Sequence, residues 1–187
     1  MRTFKTTGIV IRRKNVGEAD RILTIYTKDL GKLQVKAKGV RKITSKRASH
    51  IEPLNIAVMT LYKGEGMHVL TEVEATNSHN TIKSNLSRVG MAYHICELID
   101  SLCPEGQEQP EIYDLLEQML QDLGSKEKVG EAIHAFEINL LTALGFTTSS
   151  HDLTGSKASI FIESILEKKL KSRQIIPQLL QVQKPIS

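Results

Sequence analysis

The 187-residue sequence has no tryptophan, and its aromatics amount to 4%. A binding surface built mainly on ring stacking is therefore disfavoured from the start. Cysteine is nearly absent too. Two thiols, Cys96 and Cys103, make neither a disulfide framework nor a four-cysteine zinc site. No apolar run approaches the roughly 18–20 residues of a membrane span. The opening Met1-Arg2-Thr3-Phe4-Lys5 alternates polar and apolar residues and lacks the apolar core of a signal peptide. No phosphate-loop motif occurs, and Gly64-Glu65-Gly66 is not followed by the rest of a dinucleotide fingerprint, so it reads as a turn. These absences lead to the expectation of a cytoplasmic chain with no membrane contact, no cofactor, no metal and no enzymatic activity. Apolar residues at 40% and charged residues at 25% are those of an ordinary globular protein.

The net charge of +4 conceals an asymmetry. Residues 1–80 hold 15 Lys/Arg against 7 Asp/Glu, and residues 81–187 hold 10 against 14. A basic half joined to a mildly acidic one suggests two modules with different partners, the basic one suited to a polyanion such as nucleic acid.

Hydrophobic periodicity changes at the same place. Residues 7–12, 21–27, 32–38, 54–62 and 68–75 read as strands. The clearest is Lys32 to Lys38, where Leu33, Val35 and Ala37 alternate with polar neighbours. Residues 40–52 form a cationic connection. Five short strands in so short a span suit a small closed barrel of the OB type, which leaves no exposed strand edge. From residue 80 the period is helical. Ile82, Leu86, Val89, Tyr93, Cys96, Ile99 and Cys103 form one stripe, ended by Pro104-Glu105-Gly106. Ile112, Leu115, Leu116, Met119, Leu120 and Leu123 form a second, closed by Gly124 as a C-terminal cap. Val129 to Leu144 forms a third, closed by Gly145. A fourth helix is expected over 160–170 with a cationic end, then a tail or short last helix over 174–187. The expectation is an α+β protein: an OB-fold over 1–79 and a helical domain over 80–187.

Several fragments, taken in order, resemble one family. They are Gly8-Ile9-Val10-Ile11-Arg12-Arg13, Gly17-Glu18-Ala19-Asp20-Arg21-Ile22-Leu23-Thr24, Tyr26-Thr27, Gly31-Lys32-Leu33, Ala37-Lys38-Gly39-Val40-Arg41, Glu52-Pro53-Leu54 and Leu61-Tyr62-Lys63-Gly64. Tyr93 with Glu97-Leu98-Ile99-Asp100, Phe136-Glu137 with Leu140-Leu141 and Leu144-Gly145, and Leu170-Lys171-Ser172-Arg173 follow. Their order and spacing resemble RecO, the bacterial recombination mediator family. The resemblance implies a DNA repair protein that binds single- and double-stranded DNA and anneals complementary strands. It also implies engagement of the C-terminal tail of single-stranded-DNA-binding protein, and work with RecR to load RecA. Two departures stand out. The paired Cys-X-X-Cys motifs that often follow the Leu-Gly segment are absent, since Thr147-Thr148-Ser149-Ser150 stands there. The chain also reaches its last helix early, so part of the usual helical domain is expected to be missing.

The expected DNA-binding residues are Arg13, Lys14, Arg21, Lys32, Lys36, Lys38, Arg41, Lys42, Lys46 and Arg47, with Arg12 beside them. Strand alternation puts Lys32, Lys36 and Lys38 on one face, opposite Leu33, Val35 and Ala37, where they can track a phosphate backbone. The plainer reading of the same residues is solubilising charge. A smaller cluster, Lys168, Lys169, Lys171 and Arg173, ends the fourth helix and is the expected contact for an acidic partner tail, with an apolar groove of the helical domain beside it. Its plainer reading is a cationic helix C-terminus. Cys96 and Cys103, two turns apart on one helix, read as core thiols. His94 and His134 have no ligand-spaced partner and read as packing or solvated residues. Ser150-His151-Asp152 are neighbours in a loop, and a catalytic triad needs convergence from separate elements. Alternative functions are a generic OB-fold nucleic-acid module and a protein-interaction adaptor without mediator activity.

Overall fold

A computed structural model describes residues 3–127, 129–147, 153 and 157–182. The chain divides into two compact units, Met1–His79 with Cys103–Tyr113, and Asn80–Leu102 with Asp114–Ser187. Each is described by itself.

The first unit is a closed five-stranded barrel of order β1-β2-β3-β5-β4. Its strands are β1 (Thr3–Val16), β2 (Asp20–Thr27), β3 (Gly31–Ala37), β4 (Ile56–Tyr62) and β5 (His68–Asn77). A single 3-10 turn, Ser49–Ile51, precedes β4. β1 serves both sides of the barrel. Thr3 to Ile9 pair with β4, and Gly8 to Val16 pair with β2, with a register shift between Val10 and Arg12. Only β3 and β5 run parallel, and they pair at just Val35–His68 and Lys36–Val69. β4 starts at Ile56 rather than Leu54 because Leu54 takes a left-handed backbone (φ 72°) after Pro53. The core is aliphatic: Val10, Leu23, Ile25, Val35, Ala37, Val40, Ile51, Ala57, Met59, Leu61 and Leu70. This is the OB-fold and α+β class read from the period-two pattern.

The short β3–β5 seam leaves one edge of β3 to be covered from far along the chain. Lys32 bridges to Glu105, and the Gly106 N–H donates to the Lys32 carbonyl at 2.9 Å. Gly31 is left-handed (φ +64°), and a Cβ there would lie 1.8 Å from the Gln107 carbonyl oxygen, so no other residue fits. Lys32 is consequently only 7% exposed and does not share an open face with Lys36 and Lys38. Alternation predicted its side correctly but carries no information about a segment some 70 residues away.

The second unit contains α1 (Asn80–Lys83), α2 (Leu86–Leu102), most of α3 (Pro110–Ser125), α4 (Gly130–Ala143), α5 (Lys157–Leu166) and α6 (Lys171–Val182). Three expectations need correction. The stripe from Ile82 to Cys103 is not one helix face. A break at Ser84-Asn85, where the Asn85 side chain caps α2 by accepting from the Arg88 N–H at 3.1 Å, resets the phase. Within α2, beyond that break, Tyr93 is 48% exposed and Leu86 43% while His94 is buried, so the buried face is not the one the stripe marks. Gly124 lies inside α3, where a Cβ would meet the Thr81 hydroxyl at 3.0 Å, so it permits close packing instead of ending the helix. The fourth helix stops at Leu166, Glu167 turns the chain (φ 51°), and α6 begins at Lys171. Gly145 (φ +77°) does follow α4 as a left-handed cap. Ser150-His151-Asp152 lie outside the described residues.

Among the described residues, no helix is long and apolar enough to cross a membrane.

Candidate nucleic-acid interface

The connection after β3 is tied down before it presents any charge. The Gly39 N–H donates to the Asp20 carboxylate at 2.8 Å, and Lys36 Nζ lies 3.4 Å from its other oxygen. These hold the Asp20 carboxyl below the usual carboxylate range, the Gly39 N–H contributing most. Val40 is fully buried as an inward plug. The Arg41 N–H donates to Ala19 O at 2.9 Å, and its guanidinium donates to Gly17 O at 3.0 Å. At the other end Arg47 clamps three backbone carbonyls: Lys38 at 2.8 Å, Leu70 at 3.1 Å and Thr71 at 3.3 Å. Between the anchors lies an open cleft of about 640 Å³, lined by Ala19, Asp20, Lys38, Gly39, Lys42, Thr44, Ser45, Lys46 and Arg47.

Four cations face one carboxylate in this cleft. Lys38, Lys42 and Lys46 are exposed and form no ion pair among the described residues, while Arg47 is held on carbonyls that leave its charge uncompensated. Thr44 adds a hydroxyl to the cleft wall, while the Ser45 hydroxyl is buried without a partner among the described residues. Cations on a fixed backbone with a hydroxyl between them are what a phosphate chain requires.

The remaining expected residues sort differently. Arg13 and Arg21 both bond to Glu52, Arg21 at 3.4 Å, and Arg21 also donates to Asn15 at 3.3 Å. Their charge is largely spent within the protein. Lys14 is exposed but does not line the cleft, Lys36 is paired with Asp20, and Lys32 is covered. The positioning roles of Asp20 and Glu52 are not visible in a count of cations, although both acids sit within the fragments that carry the resemblance.

The second cluster is not at a helix C-terminus. Lys168 and Lys169 lie in the turn between α5 and α6, Lys171 opens α6, and Arg173 pairs with Glu163 at 3.4 Å. A cation at a helix N-terminus is opposed by the macrodipole. Glu97 offsets this from α2. It accepts from the Lys171 and Ser172 N–H groups, each at 2.9 Å, and from the Ser172 hydroxyl at 2.6 Å. Burial pushes the Glu97 carboxyl up. The Ser172 bonds, the Lys171 N–H and the nearby His94 together outweigh it, and the net direction is down. Ser172 also meets His94 Nδ1 at 2.8 Å. His94 Nε2 reaches the buried Glu137 at 3.0 Å, and the Ser159 hydroxyl donates to Glu137 at 3.2 Å. His94 is therefore the centre of a buried polar network on α2, α4, α5 and α6. An apolar hollow occurs on the barrel, of about 400 Å³, between Phe4, Leu30 and His68 with Lys5 and Lys63 on its rim. An apolar surface beside cations thus occurs on the barrel unit as well.

The two thiols are separated by the fold. Cys96 is in α2 of the second unit, and burial pushes it up to about 12. Cys103 belongs to the barrel unit beside Tyr26, and burial pushes it up to about 11. Both stay protonated near neutral pH, which makes them weak nucleophiles. They cannot supply the four-cysteine set that the resemblance associates with zinc. Among the described residues no group of three or more His, Cys, Asp or Glu could hold a metal ion.

The strand order and the following helices define an OB-fold module joined to a helical unit. The family model for the N-terminal part of recombination protein O matches residues 1–79, and that for its C-terminal part matches residues 83–174. The chain belongs to the recombination protein O family. It is 35% identical over 145 residues to DNA repair protein RecO of Roseiflexus sp. (strain RS-1), covering 78% of this chain and 51% of that protein. It is 37% identical over 143 residues to the Dehalococcoides mccartyi protein of the same name, covering 76% and 56%. Against the Acetivibrio thermocellus protein it is 31% identical over 147 residues, covering 78% and 59%. The chain spans little more than half the length of these curated relatives.

Proposed function

We propose that this chain acts in DNA repair and recombination by holding nucleic acid in the cleft between Ala19-Asp20 and the 38–47 connection. The observation that carries this reading is the set of Lys38, Lys42 and Lys46, exposed and in no ion pair among the described residues, Lys38 acting on Asp20 only at longer range, on a backbone fixed by Asp20, Arg41 and Arg47. Relatives named for DNA repair support the choice of polyanion. The contact is with phosphates, so it tolerates any base sequence. Neutralising backbone charge lowers the repulsion between two complementary strands, which is the physical basis for annealing. Work with RecR, the acidic tail of single-stranded-DNA-binding protein and RecA belongs to the same proposal, with Lys168, Lys169, Lys171 and Arg173 as the tail contact. The chemistry needs no bound nucleotide and no catalytic group.

The test is titration of labelled single strands over a range of salt, then annealing of complementary oligonucleotides coated with single-stranded-DNA-binding protein. With about four phosphates neutralised, one by each cleft cation, log K falls with log salt at a slope of roughly −2.8. A slope near zero refutes the cleft. Salt-dependent binding without annealing reduces the chain to a generic OB-fold module.

A further inference from the structure

Ile43 stands in the middle of the cationic connection and is 105% exposed, more than any other large apolar side chain among the described residues, the next being Ile160 at 58%. It is not at a slack tip. The Lys42 N–H donates to Gly39 O at 3.2 Å and the Ser45 N–H to Lys42 O at 2.9 Å, so two consecutive turns bracket it. Buried Val40 precedes it, and the Arg47 clamp follows. Arg41, Lys42, Thr44 and Lys46 surround it in sequence, and Lys42, Thr44 and Lys46 line the cleft.

We propose that Ile43 inserts between or against the bases of a single strand whose phosphates lie along Lys38, Lys42 and Lys46. This rests on the cleft reading given above and assigns the base contact within it. Apolar side chains, isoleucine among them, serve as wedges that unstack duplex base steps in minor-groove binders, and the same contact is open to a base of a single strand. No aromatic ring lines the cleft, Tyr26 is fully buried, and Phe4 packs edge-on against His68. The apolar contact with bases falls to an aliphatic side chain. A β-branched residue suits the task because its χ1 is already restricted, so little side-chain freedom is lost on insertion. Contact with a base face carries no sequence code. It does require an unstacked base, so it favours single strands over intact duplex.

The experiment uses the full chain, an adenine-rich single strand carrying one 2-aminopurine, and the variants Ile43→Ser and Ile43→Met. The wild type raises 2-aminopurine fluorescence as the probe unstacks. Ile43→Ser abolishes the rise and weakens single-strand binding about five- to ten-fold, the scale of one lost base contact, with the salt slope unchanged. Ile43→Met, which keeps the apolar surface but not the χ1 restriction, recovers most of both. The side chain is exposed, so Ile43→Ser folds and melts as the wild type does. If the wild type binds with the expected salt slope and Ile43→Ser matches it in fluorescence and affinity, the wedge is wrong and the cleft reading stands. If the wild type shows no salt-dependent binding, both fall. If Ile43→Ser changes the oligomeric state on sizing while the fluorescence response stays, Ile43 is a contact between copies of the chain and the wedge is overturned.

Discussion

The two cationic clusters of this chain look alike in sequence and differ in what lies beneath them. In the barrel, Asp20 and Arg47 grip the backbone of the 38–47 connection, and Lys38, Lys42 and Lys46 are left with their charge facing water. In the helical unit, Glu97 and Glu163 sit under the 168–173 run, capping the start of α6 and pairing with Arg173. The first arrangement immobilises a connection between strands, and the second caps the start of a helix with Glu97 and neutralises Arg173 with Glu163. Clustering of Lys and Arg therefore does not by itself identify a polyanion site. The two clusters differ in what fixes the backbone beneath them.

The largest effect expected from breaking this contrast is on stability. Glu137→Ala leaves His94 and Ser159 without their buried acceptor, and should cost about 3 kcal/mol in denaturant unfolding. DNA binding at temperatures where the variant stays folded should be unaffected. Next is the triple change Lys38→Ala, Lys42→Ala, Lys46→Ala. It should flatten the salt slope by about two units, at roughly 0.7 per lost contact on single strands. The matching change at Lys168, Lys169 and Lys171 should move the slope by less than about half a unit and weaken tail-peptide binding instead. The reverse pattern would put the nucleic-acid site on the helical unit.

Acid titration sharpens the comparison on the other side. The carboxyls of Glu97 and Asp20 are both held below their unfolded values, so their contribution is present above those values and is lost as pH falls through the folded ones. Stability should therefore decline below about pH 4.5, the ordinary range of a carboxylate. Glu97→Gln should remove part of that decline, measured as urea midpoint against pH. An effect opposite in sign and smaller than that of the barrel triple change is expected from Glu52→Gln. Releasing Arg13 and Arg21 should steepen the salt slope by up to about 1.4 units, at roughly 0.7 per added contact, if the freed cations join the bound strand.

Period-two alternation was enough to find β3, whereas β1 and β2 were legible as β-branched runs between turn residues, since Ile9 to Ile11 and Leu23 to Thr27 are buried on both faces. It placed Lys36 and Lys38 on the right side. Lys32 escaped it because its cover comes from Glu105 and Gly106, and no local pattern encodes a distant lid. The split between α5 and α6 was hidden for a different reason. Lys168-Lys169-Leu170-Lys171 matches the end of a helix, and only the cap supplied by Glu97 shows that a new helix begins there. Glu97, Glu137 and Ser172 all lie in fragments that carry the family resemblance. Their shared role around His94 emerges only when residues far apart in sequence meet. Ile43 had no sequence signal beyond being apolar in a polar run.

The segment that covers β3 has a consequence for how the chain is made. Barrel residues 1–79 leave the ribosome first, yet Gly106 and Gln107, which close over Lys32 and Gly31, are synthesised after the whole of α2. Until then the seam with two β3–β5 pairs has an open flank, and an open strand flank is a template for another chain. The barrel is thus a discontinuous folding unit whose completion waits on translation to about residue 113. A chain released at residue 79 would keep its strands and lose its solubility, failing by edge-to-edge association rather than by unfolding.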